Sequence, residues 1–206
     1  MSGTSAAAPR SLLARIAAAW VDFRASTARE LAEDPGEPRL LAYALGGCLI
    51  LWLARAPEVL ARDMAQAAAA GVAPTAPAML LTAHLVSMLF FTPLMLYGVA
   101  ALSRLVLRGF GGTGDWKATR TAVFWSLLAA APAFLLAALI GQALSLSGQA
   151  QAGTAAGAAG GVVWLWFWSQ GLAQAHGFAR GWPIFAVMAA AALALQIAAA
   201  TTSAGG

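Results

Sequence analysis

The sequence predicts an all-α fold: a polytopic membrane protein with five transmembrane helices preceded by an amphipathic interfacial helix. Three observations carry that prediction. From Thr121 to Ala179, 59 consecutive residues pass without an Asp, Glu, Lys or Arg, and the 26 residues after Arg180 have none either. A water-facing surface needs charge, whereas ~20 apolar residues match the thickness of a bilayer. The 206-residue chain is 61% hydrophobic with a mean hydropathy of +0.74, which describes one membrane domain and not a soluble domain on an anchor. Last, the apolar runs lack the period-2 alternation of barrel strands. Every backbone polar group in hydrocarbon must be paired, so helices remain.

The N-terminal segment, residues 1–38, is expected to be cytoplasmic and to contain an amphipathic helix over 11–31. At 100° per residue, Leu12, Leu13, Ile16, Trp20, Phe23, Thr27 and Leu31 share an arc of about 100°, and Arg15, Asp22, Arg29 and Glu33 oppose it. That pattern suits a helix lying in the headgroup layer. A helix docked on a partner's surface is the alternative. Arg15 and Asp22 also interrupt any signal-peptide core, so no cleavable leader is expected. Pro35 and Pro38 then end the helix.

The five-span membrane domain is expected over 39–206. Its first span, 40–54, lies between Arg39 and Arg55, short enough that both arginines should snorkel. From Pro57 the chain can form an exposed helix before Gly71, Pro74 and Pro77 break it. The second span is 78–102, with His84 and Pro93; the third is 121–146, with Pro132. Between them lies a glycine-rich loop. Residues 147–160, rich in Gly, Gln and Ala, are expected to be a flexible hairpin. The fourth and fifth spans are 161–175 and 183–200. No internal repeat supports an inverted-repeat transporter.

The placement of charge orients the bundle. Ten of the 12 basic residues fall before span one, between spans two and three, or between spans four and five; only Arg55 and Arg62 fall on the other side. The positive-inside rule then puts the N-terminus in the cytoplasm and the C-terminus in the periplasm. The Ala and Arg bias resembles a GC-rich bacterial genome, so the inner membrane is the expected location. Cys48 is the only cysteine and leaves the redox compartment unread.

Gly109-Phe110-Gly111-Gly112-Thr113-Gly114 matches G-x-G-x-x-G by letter. It follows a membrane span and not a buried strand, which excludes dinucleotide binding, and Asp115-Trp116 replaces the Lys-Ser/Thr of a P-loop. Its first role is a tight turn at the membrane surface, with Thr113 or Asp115 capping the next helix. The alternative is a backbone nest in which Gly111, Gly112 and Gly114, with Arg108, Lys117 and Arg120, hold a lipid phosphate or an acidic partner segment. Inside the spans, His84, Ser126, Gln142, Gln170 and Gln174 form a candidate polar cluster. Interhelical hydrogen bonding is its expected role; converging on one cavity, the same residues would suit a small-solute channel or transporter component. All eight acidic residues lie outside the spans. No catalytic residue, metal site or cofactor is expected, and no nucleic-acid partner.

Gly111-Gly112-x-Gly114-x-Trp116-Lys117-x-Thr119-x-Thr121, running through Ser126 to Pro132, resembles the signature loop and third span of the Yip family, five-span membrane proteins that interact with Ypt/Rab GTPases. Trp168-Ser169-Gln170-Gly171-Leu172-x-Gln174-x-His176-Gly177-Phe178 is similar to that family's fourth span and the turn after it. The resemblance extends from about Leu40 to Ala200 and marks the chain as a short bacterial form without the long cytoplasmic domain of the eukaryotic members. It implies five spans, a cytoplasmic N-terminus and a role in membrane organisation or trafficking. The expected function is accordingly a non-enzymatic scaffold that contacts the bilayer, anionic lipids, and a membrane-protein partner or a second copy of itself.

Overall fold

The computed structural model describes residues 11–204, which are helical with no strand among them. Eight helices follow in order: α1 (Leu12–Val21), α2 (Phe23–Ala32), α3 (Glu37–Ala70), α4 (Pro77–Gly109), α5 (Trp116–Ala129), α6 (Ala131–Leu146), α7 (Ala150–His176) and α8 (Trp182–Ala204). Three stretches are long and apolar enough to cross a membrane: α3, α4, and α5 with α6. A shorter apolar helix covers Trp182–Ala198.

The amphipathic helix expected over 11–31 is two helices. Asp22 stands in extended backbone at φ −148°, ending α1 and capping α2, its carboxylate accepting from the Ala25 N–H at 2.9 Å. Asp side chains favour such caps over helix interiors because they can bond the nearby backbone themselves. The chain folds back here: Arg15 reaches Glu30, 15 residues on, whereas a straight helix would separate them by about 22 Å.

α3 also differs from expectation. The helix that contains 40–54 runs unbroken to Ala70, passing through Pro57. Proline removes only one intrahelical bond, and Glu58 bridges Arg55 and Arg62 along the same face. The break falls at Gly71, left-handed at φ 67°, and Asp63 ties the following turn by accepting from the Thr75 N–H (2.9 Å) and hydroxyl (3.0 Å).

The span expected over 121–146 divides at Ala130, where Pro132 follows within the first turn of α6. Proline cannot donate to the Leu128 carbonyl, and the Ala133 N–H turns to Ala130 instead. The Ala129 carbonyl at the break accepts from the Trp20 indole N–H at 2.9 Å, so α1 closes a gap in the backbone pairing of α5 and α6.

The hairpin expected over 147–160 is confined to Ser147–Gln149, with Gly148 at φ 83°. Its glycines belong to α7 and serve packing. A Cβ on Gly153 would lie 2.6 Å from the Gly141 carbonyl oxygen, and one on Gly160 would lie 2.9 Å from Phe134 Cδ1. Small residues let the backbones of α6 and α7 touch, the usual way membrane helices gain dispersion contact.

α5 is the axis of the bundle, buried without interruption from Thr121 to Ala131. Phe124 and Trp125 are fully enclosed, and α2, α3, α4 and α7 supply Phe23, Leu40, Leu96 and Leu172 to the same core. Three connections meet at one end of the molecule: the α2–α3 turn, the α4–α5 loop and the α7–α8 turn.

Candidate functional site

That end is built around the glycine loop. Gly111 takes the left-handed conformation at φ 88°, and the Gly112 N–H returns to the Leu107 carbonyl at 2.8 Å, closing α4. Of the two caps expected, Thr113 or Asp115, it is Asp115 that caps α5, its carboxylate accepting from the Ala118 N–H at 2.7 Å. Gly112 and Gly114 are needed for a different reason, close approach to His176. A Cβ on Gly112 would stand 2.7 Å from His176 Nδ1, and one on Gly114 would stand 2.7 Å from the Ala175 carbonyl oxygen. Thr113 donates its N–H to the His176 carbonyl at 3.2 Å.

His176 is 2% exposed and closes α7 one residue beyond 161–175. Its Nε2 lies 3.0 Å from Thr119 Oγ1, and that hydroxyl already donates to the Asp115 carbonyl at 2.8 Å. The imidazole must therefore donate from Nε2, which leaves Nδ1 as a bare acceptor, buried without a partner. Burial and the nearby Arg104 guanidinium push the His176 pKa down, with Asp115 opposing.

Lys117 and Arg120 turn toward the α2–α3 turn. Lys117 Nζ lies 2.5 Å from the Asp34 carboxylate, and the Arg120 guanidinium lies 2.6 Å from Glu37. A cleft of about 160 Å³ opens beside the first pair, lined by Leu31, Asp34, Pro35, Asp115, Lys117, Ala118 and Thr121. Of the sequence-expected contacts, the three glycines therefore face α7 or stand open, and the two cations meet carboxylates of their own chain.

A buried charge network lies next to this. Glu30, 2% exposed, accepts from Arg15 Nε at 2.9 Å, from the Arg15 terminal nitrogen, and from the Tyr43 hydroxyl at 2.9 Å. Arg39 bridges Glu30 (3.3 Å) and Glu33 (2.6 Å), and its hydrogen bond holds the Glu33 carboxyl below the usual range. α1, α2 and α3 are pinned together by these five side chains. Sequence reasoning passed over Glu30, although a signal existed: five turns on from Leu12, it points along the apolar arc of the N-terminal segment. His176 gave a weaker signal, a lone histidine before Gly177.

The intramembrane polar residues do not come together. Ser126 accepts from the Trp164 indole at 3.2 Å and donates to the Val123 carbonyl. Gln174 accepts from Arg24 at 3.5 Å. Gln170 is buried against Gly181. His84 sits on α4 with Nε2 unpartnered, and Gln142 is exposed on α6. Among the described residues no three His, Cys, Asp or Glu side chains group as metal ligands would.

Residues 22–202 match the family model of the Yip1 domain. The chain belongs to the Yip1 family. The match begins at the Asp22 break and takes in every helix from α2 to nearly the end of α8. The glycine loop, His176 and the Glu30 network therefore lie within the Yip1 domain, apart from Arg15. No curated protein and no solved structure matches the chain.

Proposed function

We propose that this Yip1-family membrane protein is a non-enzymatic scaffold, which organises the membrane or recruits partners from the end where its basic loops meet. In this reading five helices cross the inner membrane, α3, α4, α5 with α6, α7 and α8, with the N-terminus cytoplasmic and the C-terminus periplasmic. Anionic lipids and a membrane-protein partner or second copy are its contacts.

The observation that carries the reading is how the intramembrane polar groups are used. Ser126 and Gln174 bond across to neighbouring helices, and Gln142 faces outward on α6. Polar side chains spent between helices hold a bundle together; a solute path needs them facing a common aqueous space. The exposed apolar residues of α1, Leu12, Leu13 and Val21, support contact with the bilayer edge while its Ile16 and Ala19, and Phe23 at the start of α2, pack inward.

Two measurements test it together. Proteoliposomes carrying the purified chain should be no more permeable to small solutes than empty vesicles. Photo-crosslinkers at Arg29 and Phe110, in native membranes, should give discrete protein adducts. Solute flux above the empty-vesicle rate, lost in Ser126→Ala or Gln170→Ala, would overturn the scaffold in favour of a transport role.

A further inference from the structure

We propose that the corner formed by the end of α4 and the start of α5 binds the phosphate of an anionic phospholipid, held by Arg104 and Arg108. Most of the cations are already committed. Arg15, Arg39, Lys117 and Arg120 pair with carboxylates at the basic end, and Arg24 donates to the Phe178 and Ala179 carbonyls at 2.8 Å each. Arg104 and Arg108 make no ion pair among the described residues.

They stand four residues apart on one face of α4. Like charges at that spacing repel, and an anion between them converts the repulsion into attraction for both. Arg104 is half-buried, its guanidinium carbon 4.2 Å from the centre of the Trp116 ring, and its Nε is buried without a hydrogen-bond partner. Stacking fixes the guanidinium plane with the Nε–H on its buried, unpartnered side, and a guanidinium held in this way can offer its outer nitrogens to a phosphate as two parallel donors. The adjacent carboxylate, Asp115, is used in capping α5. Arg108 is exposed one turn later.

The surroundings select a lipid. α4 is one of the helices long and apolar enough to cross a membrane, and Arg104 lies at the polar end of its apolar run. Phe110 (77% exposed) and Trp116 (49% exposed) flank the two arginines, placing aromatic rings where they settle at a headgroup layer. Lys117 and Arg120 are turned to Asp34 and Glu37, so of the three cations the glycine motif suggests only Arg108 belongs to this site, and Arg104 is its new member. The inference rests on the membrane reading of this end, and needs neither the scaffold role nor a partner.

The test is lipid retention by the purified full chain in mild detergent, read by native mass spectrometry with phosphatidylglycerol against phosphatidylcholine. Wild type should retain phosphatidylglycerol preferentially. With roughly 1 kcal/mol per basic residue near a membrane surface, each arginine lost should cut that preference about fivefold. R104Q/R108Q should then lose nearly all of it, with K117Q/R120Q staying within about twofold of wild type. If the double variant is poorly folded, R108Q alone must still give the fivefold loss. Unchanged preference in a folded R104Q/R108Q chain, or equal loss in K117Q/R120Q, overturns the site. Displacement by millimolar glycerol phosphate or inorganic phosphate would assign it to a soluble anion, and displacement by an acidic peptide to a protein segment; either overturns the lipid. Preference lost on schedule in a chain that gives no crosslinked partner leaves the lipid site standing and the scaffold fallen.

Discussion

Trp20 and His176 each solve a hydrogen-bonding problem that the helices around them create. A carbonyl freed at the Ala130 break would be costly inside a membrane bundle, and the Trp20 indole meets it at 2.9 Å. His176 orders the glycine loop by presenting one nitrogen to Thr119 and packing the other, unpartnered, against Gly112 and Gly114. The three loop glycines should therefore fail differently. Gly114→Ala drives a methyl onto the Ala175 backbone and should cost about 1–3 kcal/mol as overpacking, whereas Gly111→Ala meets open space and should cost about 1–2 kcal/mol through its positive φ alone. Thermal unfolding in detergent gives both losses, and retention of the loop's protection from hydrogen exchange in Gly111→Ala alone separates them. The lowered His176 pKa sets a pH dependence. The folded chain favours neutral imidazole, so the unfolded chain binds more protons between the folded pKa and the ordinary value. Stability is thus fully present above that ordinary value, ~6.5, and is lost as pH falls through it toward the folded pKa. His176→Gln should flatten this slope of melting temperature below pH 6.5, compared with wild type. Gly112 and Gly114 were legible as a turn, but not as a seat for His176, because their reason is a neighbour more than sixty residues away.

At the scale of elements, the sequence disclosed apolar faces better than helix ends. Asp22 lies opposite the apolar arc, as a solvated residue would, so periodicity carried the N-terminal helix across it; only its capping preference spoke for the break. Pro57 was legible as a helix start because proline favours that position, yet the leucines and alanines on both sides and the Glu58 bridges keep α3 whole. Glycines in 147–160 read as flexible for the same kind of reason: local propensity cannot see that Gly141 lies against Gly153. The α1–α2 hairpin owes its place to tertiary contacts, with Phe23 stacked on Phe167 at 4.4 Å and Glu30 shared between Arg15 and Arg39. Removing one member of a buried charge network leaves the others uncompensated, at about 3–5 kcal/mol. Glu30→Gln should loosen the hairpin more than the bundle, because α3 to α8 keep their own core around α5. Hydrogen exchange in detergent should accelerate across residues 12–32 with α5 and α7 still protected. Uniform acceleration along the chain would make Glu30 a global support; no acceleration would make the network dispensable.

The whole molecule is organised by which connections share an end. Thr113 bonds the His176 carbonyl, Arg24 bonds the Ala179 carbonyl and Lys117 meets Asp34, so the α2–α3, α4–α5 and α7–α8 connections are neighbours. Ten of the 12 basic residues lie before residue 40, between 103 and 120, or at Arg180, the longer stretches that contain these three connections. The sequence reads 161–175 and 183–200 as the fourth and fifth spans, but α7 begins with glycine and alanine, ends with glutamine and histidine, and is not among the three stretches apolar enough to cross a membrane by composition. Its 27 residues nevertheless extend about 40 Å, enough to cross. A reporter fused after Ala204 cannot decide this, because three crossings and five both leave that point outside when the N-terminus is inside. The α7–α8 turn decides it. In a Cys48→Ser background, Ala179→Cys places a thiol at an exposed position of that turn, and Ser147→Cys places one on the α6–α7 turn. With five crossings and a cytoplasmic N-terminus, a membrane-impermeant maleimide added to intact spheroplasts should label Ser147→Cys fully and Ala179→Cys only after lysis. Labelling of both from outside would stop the crossings at three and leave α7 and α8 on the outer face. Labelling of Ala179→Cys alone would invert the molecule and place the Arg104 corner on the periplasmic side.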